Sequence, residues 1–380
     1  MSAHDARRID IVVPVHNEED ILEASIGRLR DHLDDGFPFA WQIVVADNAS
    51  TDATPDIADR LAAADPRIRH LRIPEKGRGR ALRAAWSASD ADVVAYTDVD
   101  LSTGLTGLLP LVAPLVSGHS DLSIGSRLSS SSVVARGPKR ELISRCYNLL
   151  LRVVFAVRFR DAQCGFKAAR TDVIRRLLPA VEDEAWFFDT ELLLLAEYNG
   201  LRVHEVPVDW IDDLDSRVDV RSTALADLRG IRRMAWRFAR GRGGVDLGEH
   251  ERTPLADDFG RQTVTYVSIG LVSTAISLVL FLLLRDQVGA VWANVIAFTA
   301  TAIGNSWAHS RWTFRRRSEE DRRWRLATSL AVFAVSLLGT SLALAIVEGN
   351  PTAELVVLAA SWTAAAFFRF VVLRTWVYRR

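Results

Sequence analysis

The sequence predicts an α/β domain on a mostly parallel sheet with flanking helices, followed by a four-helix transmembrane domain. Three observations carry this reading. Short apolar runs alternate with helical patterns over residues 10–128. Four long, nearly uncharged stretches lie beyond residue 263. Charge divides with them: residues 1–250 hold 33 basic and 38 acidic side chains, and residues 251–380 hold 14 and 9. Over all 380 residues the two signs balance at 47 each, so net charge gives no ground for nucleic-acid binding. At 49% hydrophobic and 25% charged, the chain is neither disordered nor fibrous. Two cysteines, Cys146 and Cys164, are too few for a disulfide scaffold or a four-cysteine zinc site.

The strands are expected at Asp10–Val15, Gln42–Asp47, Ile68–Ile73, Asp92–Asp98 and Leu122–Arg127, with helices near 19–34, 54–64, 78–88 and 105–117. Strand–helix alternation implies a sheet covered on both faces. Ligands of such sheets bind outside the carboxyl ends of the strands, so the residues just after each strand are informative. Pro14-Val-His-Asn-Glu18 comes after the first strand and Asp47–Thr54 after the second. Glu75–Arg80 comes after the third and Asp98-Val-Asp100 after the fourth. Two carboxylates one residue apart at a strand end suit a hard cation such as magnesium or manganese. Asp47 is placed to accept hydrogen bonds from a base or ribose, with Ser50 or Asp52 capping the next helix. Lys76, Arg78 and Arg80 either face phosphate or form a solvated loop.

Beyond the sheet, Leu225, Leu228, Ile231, Ala235 and Phe238 recur at helical spacing, with five arginines on other faces. That pattern suits a helix lying on an anionic leaflet, or one packed on the preceding domain. The expected organisation is residues 1–220 for the α/β domain, 221–241 for this amphipathic helix, 242–262 for a linker and 263–380 for the membrane domain. Spans are expected at Val264–Leu284, Val288–Trp307, Leu326–Val347 and Leu355–Val372, each near the ~20 residues a bilayer requires. Seven arginines lie between spans two and three, and the chain ends on Arg374, Arg379 and Arg380. By the positive-inside rule the central loop, both termini and the N-terminal domain are expected in the cytoplasm. Ile11–Val15 is too short for the apolar core of a signal peptide. The spans carry Asn294 and Asn305, polar groups that either bond helix to helix or mark a pathway.

Taken in order, these residues resemble family 2 glycosyltransferases of the GT-A (Rossmann-like) type, most of all the polyprenyl-phosphate or dolichyl-phosphate hexose synthases. The likeness covers about residues 9–240. It is carried by Val12-Val-Pro-Val-His-Asn-Glu-Glu19, Asp47–Thr54, Asp98-Val-Asp-Leu-Ser-Thr103, Gly125-Ser-Arg127 and Asp161-Ala-Gln-Cys-Gly-Phe-Lys167. Trp186–Leu192 and Ser216-Arg-Val218 also fit. The membrane part resembles the GtrA-like four-helix domain, with an aromatic and arginine-rich edge ending spans two and four.

The resemblance implies residue roles. Pro14, Glu18, Asp47 and Lys76 would line the nucleotide pocket. Asp98 and Asp100 would hold the metal. Arg127, Arg140 and Ser144 would bind the acceptor phosphate, and Arg217 would close over the donor diphosphate. Gln163, Asp189 and Glu191 are further candidates, the last two serving otherwise as helix caps. The implied reaction moves a hexose from UDP-glucose or GDP-mannose to polyprenyl phosphate in the membrane, inverting the anomeric centre, for glycan or cell-envelope assembly. Three departures bear on it. His16 replaces the usual Tyr, Ser102 stands where the mannosyl branch often has Gln, and the Asp161–Lys167 motif looks like the glucosyl branch, which favours glucose. No Gln is followed by Arg-Trp as in processive synthases. The readings from other classes are a lipid-linked-sugar translocator with a regulatory soluble domain, or a membrane glycosyltransferase with a different acceptor. Homo-oligomerisation stays open.

Overall fold

The computed structural model describes residues 7–135, 137–211 and 220–248, with shorter stretches between 273 and 361, of which 287–308 is the longest. The chain divides into two units, Met1–Leu151 with Val157–Ala256, and Arg152–Ala156 with Asp257–Arg380.

The first unit opens β1 (Arg8–Val15), α1 (Leu22–Asp34), β2 (Ala40–Asn48), α2 (Thr54–Ala64), β3 (Ile68–Ile73), α3 (Arg78–Ser87), β4 (Val93–Thr97), α4 (Leu108–Val116) and β5 (Leu122–Ser126). Every expected strand and helix of residues 10–128 forms. After these come β6 (Val134–Ala135), α5 (Pro138–Phe155), β7 (Phe166–Arg170), α6 (Thr171–Leu177), α7 (Phe188–Tyr198), β8 (Val203–Pro207), β9 (Trp210–Ile211) and α8 (Val220–Ala239). Seven strands make one sheet in the order β3-β2-β1-β4-β7-β5-β8, and β6 pairs with β9. All neighbours in the large sheet run parallel except β7, which is antiparallel to both β4 and β5.

Burial explains the strand composition. In β1 alternate residues face opposite sides. Ile9, Ile11, Val13 and Val15 pack with Leu22, Ile26 and Leu29 of α1 and Leu108, Leu111 and Leu115 of α4. Asp10 on the other face is buried, and its Oδ2 accepts from Ser89 Oγ at 2.6 Å. Both faces are covered, so the strands read as continuous apolar runs.

Strand order locates the crevice. From β1 the chain winds outward to β2 and β3, and β4 then lies on β1's other side. The reversal falls between β1 and β4, which is where sheets of this kind bind their ligands, outside the carboxyl ends of the strands. Because β7 is reversed, its amino end meets that same rim, and the residues preceding it join those following β4.

Of the two readings of α8, packing on the preceding domain holds for one face of the helix. Ile231, Met234, Phe238 and Asp227 are buried, and Phe238 stacks on Tyr198 of α7 at 4.3 Å. Arg233 donates to Glu191 Oε2 at 2.5 Å, and Arg237 pairs with Glu182 and Glu191 at 3.4 and 3.7 Å. Leu225, Leu228 and Trp236 are exposed instead, on the opposite face with Arg229, Arg232 and Arg240. The packed face thus mixes apolar groups with arginines satisfied by carboxylates, which hydrophobic periodicity cannot register.

The second unit contains α9 (Ala290–Ala308). Phe281, Ala290, Ala293, Ala297, Leu344 and Leu358 form its core. Asn294 is buried and donates to Thr340 Oγ1 and Ser341 Oγ, both at 3.2 Å, so it bonds helix to helix. Among the described residues no helix is long and apolar enough to cross a membrane. In α9, Asn294, Thr299, Thr301, Asn305 and Ser306 dilute the apolar run. Most of the other expected spans, the arginine-rich loop 311–325 and the C-terminal arginines lie outside the described residues, as does the side chain of Asn305.

Two stability outcomes are expected from this packing. A Cβ at Gly230 of α8 would sit 2.5–2.6 Å from the Phe187 ring. Gly230→Ala is expected to destabilise the first unit by ~1–3 kcal/mol through overpacking, read as a lowered thermal midpoint. Burial pushes Glu197 of α7 up to about 7 from 4.5, although the Arg158 and Phe159 amides donate to it. The folded state therefore binds a proton that the unfolded state releases between these values, and stability falls as pH rises from about 4.5 through about 7. Glu197→Gln should flatten that decline, measured as thermal midpoints at pH 5 and pH 7.5.

Candidate active site

The rim is built from four strand-end loops. The loops after β1 and β2 are fastened to each other. The Asn17 and Glu18 amides donate to Ser50 Oγ at 3.0 Å and Thr54 Oγ1 at 2.8 Å. In return the Thr51 and Ala53 amides donate to Asn17 Oδ1 and Glu19 Oε2, both at 2.8 Å. His16 Nδ1–H donates to the Asn48 carbonyl at 2.8 Å, a structural role. Asn17, Ala49 and Leu101 adopt positive φ of 57°, 57° and 49°, all on this rim. Residues other than glycine rarely adopt that geometry, and it concentrates at functional loops.

Asp47, the penultimate residue of β2, is fully buried. Its Oδ1 accepts from the Ser50 amide at 3.0 Å, while its Oδ2 is buried with no hydrogen-bond partner. His70 Nε2 and Arg72 Nε each stand 3.8 Å from that oxygen. A buried carboxylate oxygen lacking a donor suits a ligand's N–H or O–H. Ser50 does not cap α2; Asp52 accepts from the Thr54 amide at 3.0 Å, and Ala53 holds the N-cap position. Pro14 and Glu18 are half-buried beside this loop, and Lys76 is exposed.

Asp98 comes directly after β4 and is held from two sides. Arg78 Nη2 donates to its Oδ1 at 2.7 Å. Its Oδ2 occupies the space that a Cβ on Gly165 would fill, so any side chain at 165 would displace the carboxylate. The Asp98 amide also donates to the Gly165 carbonyl at 3.2 Å. Asp100 Oδ1 accepts from the Ser102 amide at 3.0 Å, turning the two carboxylates within one loop.

Beneath Asp98 lies a charge network drawn from residues far apart in the chain. Arg78 Nη1 donates to Asp189 Oδ2 at 2.6 Å, and the Tyr96 hydroxyl donates to Asp189 Oδ1 at 2.6 Å. Lys167 Nζ lies 3.4 Å from Asp189 Oδ1 and donates to Tyr96 at 3.2 Å. Burial opposes the charge on Asp189, but Lys167 and Arg78 hold its carboxyl below the usual range. Asp189 is therefore no helix cap and no proton acceptor; both oxygens are committed. Glu191 is not a cap either, since it faces α8, and the two serve different contacts though only two residues apart.

Arg127 is buried after β5. Its Nε and Nη2 donate to Asp161 Oδ2 and Oδ1 at 2.7 and 2.8 Å, with its backbone amide adding a 3.0 Å bond. Two of its three guanidinium nitrogens are thus used within the fold, while Trp210 lies 4.7 Å from the guanidinium carbon. Arg140 and Ser144 stand one turn apart on α5, and Ser144 Oγ is buried with no hydrogen-bond partner. Gln163 donates to Asp227 of α8 at 2.9 Å, and burial pushes that carboxyl up to about 6. Arg217 lies outside the described residues. The one signal for Arg78, Tyr96 and Lys167 in sequence is a cation inside the apolar β7 run Phe166–Ala169, which demands a buried carboxylate.

Two family models match the chain: "Glycosyl transferase family 2" over residues 10–178, and "GtrA/DPMS, transmembrane domain" over residues 265–378. A glycosyltransferase, AglD, of Haloferax volcanii is 39% identical over 232 residues, 60% of this chain and 37% of that protein's length. The chain therefore spans well under half of that relative. An undecaprenyl-phosphate mannosyltransferase of Micrococcus luteus is 30% identical, covering 54% of this chain and 84% of that one. A dolichyl-phosphate beta-glucosyltransferase of Drosophila melanogaster is 30% identical, covering 54% and 67%. Among solved structures, glucosyl-3-phosphoglycerate synthase of Mycobacterium tuberculosis, in complex with Mn2+, UDP and glucosyl-3-phosphoglycerate, aligns at 23% identity and a TM-score of 0.44, covering 60% and 78%. The motif-bearing rim and these sequence likenesses agree: the chain belongs to glycosyl transferase family 2 and carries a GtrA/DPMS transmembrane domain.

Proposed function

We propose that the chain transfers a hexose from a nucleotide-diphospho-sugar to polyprenyl phosphate at the cytoplasmic membrane face, giving polyprenyl-phospho-hexose with inversion. Glucose from UDP-glucose is the favoured donor, and mannose from GDP-mannose the next. The observation that carries this is Asp98-x-Asp100 at the sheet's switch point, on the same rim as the buried Asp47 oxygen that lacks a donor. Relatives named for transfer to dolichyl or undecaprenyl phosphate support the acceptor class.

Asp98 and Asp100 are the residues that would hold magnesium or manganese. Two oxygen ligands on one loop fit a hard cation, which commonly takes one or two carboxylates and completes its shell with phosphate and water. Among the described residues no cluster of three or more His, Cys, Asp or Glu offers another metal site. When bound, the ion supplies charge neutralisation on the leaving diphosphate.

The chain's own residues position the reactants. Asp47 receives the base or ribose, with Pro14 and Glu18 as walls and Lys76 at the solvent edge. Arg140 and Ser144 bind the acceptor phosphate from α5, and Arg127 adds its remaining guanidinium nitrogen. Arg217 closes over the diphosphate. A phosphate monoester with a second pKa of ~6 is already mostly dianionic at neutral pH and needs no strong general base. Catalysis then rests on orientation and charge. The exposed Leu225, Leu228 and Trp236, with three arginines around them, suit α8 to the anionic leaflet where the acceptor resides. The membrane domain crosses the bilayer four times with both termini and the arginine-rich loop in the cytoplasm.

Membranes bearing the chain, supplied with polyprenyl phosphate and Mg2+ or Mn2+, should move label from UDP-glucose into lipid. Asp100→Ala should cut that transfer ~100-fold or more. Label from GDP-mannose alone would change the sugar, and none from either donor would discard the reading. Gly165→Ala displaces the Asp98 carboxylate without touching substrate, and a displacement of ~1 Å is expected to lower transfer on the order of 100-fold. Single-turnover rates with full-length Gly165→Ala check it.

A further inference from the structure

Both oxygens of Asp98 already have close neighbours. Its Oδ1 is bonded to Arg78, and its Oδ2 lies against the Gly165 backbone. The carboxylate is a third exposed, whereas Arg78 is only 13% exposed, so the guanidinium comes from beneath the rim. Arg78 is also anchored independently of Asp98. Its Nη1 donates to Asp189, whose side chain is 2% exposed. The rings of Tyr96 and Trp186 lie 5.1 and 5.2 Å from its guanidinium carbon. The other two cations of Glu75–Arg80 behave differently: Arg80 pairs with Glu184 and Glu75, and Lys76 is exposed.

A guanidinium and a divalent ion seek the same thing from a carboxylate, and neither tolerates the other at close range. We propose that Arg78 is a resident counter-cation for the metal site. It neutralises Asp98 when no metal is bound and competes directly with the ion for Oδ1. Metal binding releases Nη2 while Nη1 keeps its hold on Asp189. Arg78 is thus a positioning residue that sets metal affinity. This inference rests on the assignment of Asp98 and Asp100 as metal ligands.

The competition predicts a sign that a purely structural role does not. Loss of an arginine that merely supports the site would weaken metal binding; loss of a competitor tightens it. Full-length protein in detergent, without donor or acceptor, is titrated with Mn2+, and free ion is followed by electron paramagnetic resonance. Arg78→Met should bind Mn2+ on the order of tenfold more tightly than the unaltered chain, the scale of one charge-assisted hydrogen bond. Its thermal midpoint in EDTA should fall, because Asp189 is left charged and buried. Should that variant fail to fold, Arg78→Met with Asp189→Asn removes both buried charges and should show the same tightening. Unchanged or weaker Mn2+ binding in the folded variant overturns the proposal while leaving the metal site intact. Mn2+ binding that is absent from the unaltered chain, or insensitive to Asp100→Ala, overturns the metal assignment and this inference together.

Discussion

A single guanidinium between two carboxylates organises the centre of the first unit. Arg78 joins Asp98 at the rim to Asp189 in the interior, and Tyr96 and Lys167 complete the charge balance around it. The partners come from four elements: the start of α3, the end of β4, the start of α7 and the middle of β7. A buried network of this kind is stable only when every member is satisfied. The relative positions of four elements are thereby tied to one set of hydrogen bonds. The carboxylate at the candidate metal site is placed by the same bonds that hold the core.

The β1–β2 side of the rim is organised by different means. There the loops after β1 and β2 satisfy one another's backbone amides through Ser50, Thr54, Asn17 and Glu19. Asn17 and Ala49 are held at positive φ in doing so. The local conformational cost is offset by reciprocal hydrogen bonds, and the result is a rim already in shape before any ligand arrives. Preorganisation of this type reduces the ordering that binding would otherwise require.

Much of this was legible in the chain itself, and the reasons for the gaps are physical. Alternating apolar runs located β1 to β5 and the helices between them, and the rule about strand ends then pointed to Pro14, Asp47, Asp98 and Asp100. That rule inspects the trailing end of a strand. It is blind to β7, which is antiparallel and delivers Asp161 to Gly165 from its leading end; those residues were found through resemblance alone. Arg78 was visible only as one of three cations in a loop, because nothing local distinguishes the one that turns inward. In α8 periodicity read the apolar stripe as one surface. Ile231 and Phe238 go inward and Leu225 and Leu228 outward, since Arg233 and Arg237 find carboxylates on the buried side. A polar residue with a partner behaves as core, and hydropathy has no way to see the partner.

The reversed strand also has a consequence in time. During synthesis the first five strands emerge together, with Asp98 and Asp100 already on the chain. The parts that seat Asp98 come much later: Gly165 ahead of β7, which must insert between β4 and β5, and Asp189 on α7. Long-range pairings of this kind form after local ones. The nascent sheet therefore passes through a stage in which β4 and β5 stand apart and the rim carries acidic side chains without their supports. The acidic rim is therefore among the last features of the domain to be completed, because its supports come from the strand that closes the sheet.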